Sequence, residues 1–94
     1  MFIVLLTYKA DLAELDAHLA AHRAWLQEAI DGGTLLVAGR KVPRTGGAFF
    51  VRGDRAAVEA WIAQDPFNLA NLSDYEVIEF EATMTAPGLE AFKG

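Results

Sequence analysis

The period of the apolar positions changes several times along the chain, and each change marks an element. From Asp11 to Gly33 the apolar residues fall at Leu12, Leu15, Leu19, Leu26 and Ile30. That is the i, i+3, i+4, i+7 spacing of one helical face. One place in the stripe, between Leu19 and Leu26, is filled by His22. Asp11 is placed to cap this helix with Glu14 three residues on, an aspartate version of the capping box, and Asp31-Gly32-Gly33 is placed to end it. Before it, Phe2–Tyr8 is a run of β-formers too short for a helix. Both of its alternating sets are apolar, which predicts a strand covered on both faces.

After the helix, residues 34–39 (TLLVAG) predict a second strand, Arg40 to Gly47 a basic, glycine-ended loop, and residues 48–52 (AFFVR) a third strand. Gly53-Asp54 opens a second helix, with Val58, Trp61 and Ile62 on one face and Asp65 extending that stripe. Pro66 closes it, because proline disfavours the helical conformation in the residue before it. Residues 67–74 read as a connector with room for one short turn, and residues 75–81 (YEVIEFE) as a fourth, alternating strand. Residues 82–94 read as an irregular tail within one 94-residue domain.

The order β-α-β-β-α-β predicts an α+β fold. With right-handed split crossovers it gives a four-stranded antiparallel sheet, order 4-1-3-2, with both helices on one face. The helices cover only one side, yet the first three strands are apolar on both. A bare apolar face of several hundred square ångströms is more than a monomer usually leaves open. A C2 homodimer packed sheet to sheet is the simplest closure. A tail folded back over the face is the alternative.

Composition narrows the partners. The chain is 53% hydrophobic, has net charge −5 and contains no cysteine. It has no basic stripe for nucleic acid, no long apolar span for a membrane and no thiol for disulfide or zinc chemistry. The opening apolar run is short and lacks a basic start, so a soluble cytoplasmic protein without a membrane or nucleic-acid partner is expected.

The candidate chemistry lies in the residues that interrupt the pattern. His22 and Asp65 sit at equally odd positions on helices that this topology sets side by side. A carboxylate against one imidazole nitrogen fixes the tautomer and leaves the other nitrogen for a ligand proton, which is a general acid/base arrangement. The same pair can also serve as a structural brace. His18 and His22 lie one turn apart, but no third metal ligand accompanies them apart from Asp65 itself, so neither metal nor cofactor is expected. Arg40 and Arg44 offer a basic rim to an anionic ligand, in a loop without phosphate-binding spacing. Trp25, Trp61, Phe67 and Tyr8 serve the core or an interface first, and each of them, Trp25 and Phe67 above all, is also a candidate to line an apolar pocket for a ring.

Several segments together resemble the YciI-like (YCII-related) family. They are residues 22–26 (HRAWL), 33–39 (GTLLVAG), 42–47 (VPRTGG), 65–67 (DPF) and 75–80 (YEVIEF). The likeness runs from Phe2 to Phe80, with the helix histidine and the Asp-Pro-Phe as its most specific marks. It implies a ferredoxin-like fold of the dimeric α+β barrel superfamily and an active site on a His–Asp pair, here His22 and Asp65. One branch of the family resembles dehydrochlorinases of chlorinated hydroquinones, a chemistry that needs only an acid/base pair. The chain departs from the pattern at Arg40, where relatives often carry proline, and at residues 68–71, which replace a glycine-containing connector. The expected function is a cofactor-independent lyase or isomerase acting on a small, cyclic, anionic molecule. The alternative is a non-catalytic dimeric module that binds a small ligand.

Overall fold

Residues 1–93 are described by a computed structural model. Its elements are β1 (Phe2–Tyr8), α1 (Leu12–Asp31), β2 (Leu35–Arg40), β3 (Gly46–Val51), α2 (Arg55–Ala63), α3 (Pro66–Leu69) and β4 (Ser73–Glu79). The strands form one antiparallel sheet in the order β2-β3-β1-β4, which is the expected 4-1-3-2 read from the other edge. The fold is α+β and ferredoxin-like.

Register decides which side chains share a face. Val4 lies between Phe49 on β3 and Val77 on β4, and Leu6 lies between Gly47 and Tyr75. On this side Phe2, Val4, Leu6, Phe49 and Val51 are buried, together with Leu15 of α1 and Val58 and Ile62 of α2. Burying each such side chain is worth roughly 1.5–3 kcal/mol, so this layer carries the fold.

Helix ends follow local chemistry, with one exception. At the end of α1 the Gly33 amide donates to the Ile30 carbonyl and the Thr34 amide to the Ala29 carbonyl. Gly33 takes φ +83°, the left-handed stop for which glycine is suited. At the start of α2 the Asp54 carboxylate accepts from the Ala57 amide at 2.8 Å. The capping box expected from Asp11 and Glu14 does not form: Asp11 makes no side-chain cap, and its carbonyl alone accepts from the Glu14 amide.

Several boundaries differ from the sequence pattern. Arg40 belongs to β2 and Gly46-Gly47 to β3, so only residues 41–45 form the loop. A side chain at Gly46 would run into the Leu6 carbonyl, which is why β3 pairs so closely with β1 there. β4 begins two residues earlier than expected and ends at Glu79. Asp65 does not extend the α2 stripe, because α2 stops at Ala63. With φ −57° and ψ 125° it takes the extended conformation proline imposes on its predecessor and caps a separate short helix, α3. The connector after α3 turns through Asn71 at φ +59°, a conformation asparagine tolerates better than most residues.

The sheet's other face carries Ile3, Leu5, Ala48, Phe50, Val37 and Ile78. Val37, Ile78 and the following Phe80 remain exposed. The tail returns to one corner of this face. A 3-10 turn at Glu90–Phe92 sets the Phe92 ring edge-on to Phe50 at 5.8 Å, and Arg52 donates to the Ala91 carbonyl. None of the described helices is long and apolar enough to cross a membrane.

Candidate active site at the His22–Asp65 pair

Three separate elements converge behind the helix-covered face of the sheet. His22 comes from α1, Asp65 from the cap of α3 and Tyr75 from β4. His22 Nδ1 lies 2.7 Å from Asp65 Oδ1, across 43 residues of sequence. The same oxygen accepts from the Phe67 amide at 3.0 Å, and Asp65 Oδ2 accepts from the Tyr75 hydroxyl at 2.5 Å. Asp65 is completely buried and His22 only 7% exposed. A carboxylate in that position is tolerable only because all its hydrogen bonds are made within the protein.

This geometry assigns the tautomer. Asp65 acts as acceptor toward the Phe67 amide and the Tyr75 hydroxyl, so the proton between it and His22 belongs on Nδ1. Nε2 of the neutral ring then carries a lone pair, and it has no hydrogen-bond partner among the described residues. Stacking fixes the plane of the imidazole. The Phe67 ring lies parallel to it at 3.9 Å, with Trp25 and Phe49 tilted against it at 5.7 and 6.2 Å. Burial, and then the hydrogen bond to Asp65, push the Tyr75 hydroxyl well above the usual phenol range, so Tyr75 is a neutral donor at any working pH.

A cavity of about 230 Å³ opens beside the imidazole. Leu6, Leu19, Leu26 and Phe49 supply its apolar wall, while His22, Tyr8, Arg23 and Arg40 supply its polar groups. Backbone at Gly39 and Gly47 completes it. A Cβ on Gly47 would come within 2.9 Å of the Gly39 carbonyl, so that side of the cavity stays free of side chains.

The residues singled out from the sequence have different fates. His22 and Arg40 line the cavity. Arg44 does not: its guanidinium meets Asp16 of α1 at 2.7 Å, and that hydrogen bond raises its already high pKa. Trp25 and Phe67 are not in the lining either. Trp25 stacks on Trp61 at 4.0 Å, and Phe67 backs the imidazole. His18, one turn from His22, is exposed and its Nδ1 donates to the Glu14 carbonyl. No group of three or more metal-ligating side chains occurs among the described residues. Sequence reasoning passed over Tyr75 and Arg23. Tyr75 reads as an ordinary inward residue of an alternating strand, and only the register opposite Leu6 brings its hydroxyl to Asp65.

Comparison with known proteins bears on this arrangement. The model of the YCII-related domain matches residues 1–81. The chain belongs to the YCII-related family. No curated protein matches it. Among solved structures it is similar to 5-chloro-2-hydroxyhydroquinone dehydrochlorinase from Burkholderia phenoliruptrix AC1100, determined in complex with 2,5-dihydroxybenzoquinone. The TM-score is 0.72 at 19% identity, over 86% of this chain and 94% of that one. At that identity the likeness establishes the shared fold.

Proposed function

We propose that this YCII-related chain is a cofactor-independent acid/base enzyme of the lyase or isomerase type, with His22 as the catalytic residue and Asp65 as its positioning residue. The observation that carries the reading is the divided imidazole. One nitrogen is held by a fully buried carboxylate, and the ring borders a cavity that also holds two arginines. In the forward step Nε2 takes a proton from the substrate. The released electron pair either expels an anionic leaving group or shifts a double bond, with the proton returned at another atom. Asp65 stabilises the imidazolium that forms. The dehydrochlorinase of similar fold supports this class, since its reaction is an elimination.

The ligand is a small ring. A volume near 230 Å³ lies below the roughly 300–1,000 Å³ of pockets for drug-sized ligands. Arg40 holds negative charge at this cavity. Arg44 steadies the neighbouring loop through Asp16, while Trp25 and Phe67 support the site from behind the imidazole. The working unit is a homodimer closed through the open sheet face, because Val37, Ile78 and Phe80 otherwise remain in water.

The test is turnover on a panel of halogenated and hydroxylated rings, read as halide release and as double-bond isomerisation. His22→Asn should lower the rate by about 10²–10⁴ while the dimer stays folded. A variant that keeps its rate rejects the proposal. Full burial of Asp65, which ties α1, α3 and β4 together, favours the second reading of a ligand-binding module braced by the pair. That reading expects the same variant to lose stability while ring ligands still raise the melting temperature.

A further inference from the structure

The chain is acidic, with 13 Asp and Glu against 8 Lys and Arg, yet the cavity beside His22 reverses that balance. Its lining contains Arg23, Arg40 and His22 and no carboxylate side chain. The other arginines are engaged within the protein. Arg44 pairs with Asp16, Arg55 with Glu59 and Glu79, and Arg52 donates to the carbonyls of Gly33 and Ala91. Arg23 and Arg40 alone make no ion pair or side-chain hydrogen bond among the described residues. The two guanidiniums without internal partners are thus the two that border the cavity. They arrive from different elements, Arg23 from α1 directly after His22 and Arg40 from the last position of β2.

We infer that the substrate is a single ring bearing a carboxylate, held by Arg23 and Arg40, with a second ionisable group on the ring facing His22. This rests on the proposed acid/base site and names its substrate class. A guanidinium is planar and presents paired donors that match the two oxygens of a carboxylate. Both arginines are exposed where they border the cavity, so the pairing stays open to salt, while Leu6, Leu19, Leu26 and Phe49 wall the apolar side. The apolar wall takes the ring, the arginines take its carboxylate, and Nε2 is left to meet a ring hydroxyl or C–H. A neutral ring of the same size leaves both guanidiniums to water and forfeits that contribution.

The experiment is calorimetric titration of the full chain with two probes that differ only in the carboxylate, 2,5-dihydroxybenzoate and hydroquinone. Wild type should bind the carboxylated ring at least tenfold more tightly. Arg40→Gln and Arg23→Gln should each remove most of that advantage while leaving hydroquinone affinity unchanged. Arg55→Gln, remote from the cavity, should change neither. The advantage should also shrink as salt is raised. Equal affinity for the two probes, or an advantage that survives both arginine variants, overturns the carboxylate assignment and leaves the acid/base site standing, provided that hydroquinone affinity depends on His22. Binding of neither ring overturns the carboxylated-ring assignment, while the acid/base site is judged separately by turnover in wild type and His22→Asn.

Discussion

The two faces of the sheet are both apolar, but they have opposite uses for a polar group. The helix-covered face buries a carboxylate and an imidazole, with a half-buried phenol beside them, among Phe2, Phe49, Phe67 and Trp25. It tolerates them because Asp65 accepts from His22 of α1, from Tyr75 of β4 and from the Phe67 amide two residues on. The other face has no such network. Its Val37 and Ile78 are exposed and its Ile3, Leu5 and Phe50 half-buried, with only the Phe92 ring of the tail set against Phe50. Apolar content alone therefore does not separate the core from an uncovered face here. What separates them is whether the protein itself supplies the covering layer.

The sharpest way to break the comparison is to open the buried network. Asp65→Ala strands the Nδ1–H of His22, the amide of Phe67 and the hydroxyl of Tyr75 in a dry layer. Chemical denaturation should show a loss of about 3 kcal/mol or more, roughly 1–3 kcal/mol for each of the three donors left without an acceptor. A loss under about 1 kcal/mol would mean that water already enters the network.

On the open face the expected change is in association and smaller in the fold. Ile3→Asp puts a charge between Phe50 and Ile78 on this open face. Sedimentation velocity should show the dimer replaced by monomer, with affinity reduced by about 2–4 kcal/mol as for a central interface residue. A wild-type chain that sediments as a monomer at high concentration would remove the proposed dimer altogether.

The mildest change distinguishes the faces by pH. Tyr75 keeps its proton in the folded state far beyond the usual phenol range, whereas in the unfolded chain it titrates near pH 10. Its contribution is complete below about pH 10. Above that the unfolded state binds fewer protons than the native one, so stability falls as pH rises. Tyr75→Phe should cost about 1 kcal/mol at neutral pH for the lost hydrogen bond. It should also flatten the alkaline decline in denaturation curves taken from pH 9 to 11. An unchanged alkaline slope would place the Tyr75 hydroxyl in contact with solvent.

Much of this architecture was legible in one dimension. Element order, strand order and the two-faced sheet follow from period and alternation, because burial on one side or both leaves its mark on every second or every third and fourth residue. The His22–Asp65 pairing could also be anticipated, since each residue interrupts an apolar pattern and polar groups buried alone are costly. Local chemistry was less readable. In the sequence Asp65 keeps the apolar period of α2, but the helix stops at Ala63 and Pro66 makes Asp65 the cap of another helix.

Tertiary structure alone decided the composition of the site. Tyr75 alternates like any strand residue, and pairing with β1 is what delivers its hydroxyl to Asp65. Arg40 and Arg44 look equivalent in a basic loop, yet Asp16 of α1 takes one and leaves the other at the cavity. Sequence period reports which way a side chain points from its own element. Which group it meets depends on how distant elements are set against one another, and that geometry is carried by the packed core as a whole.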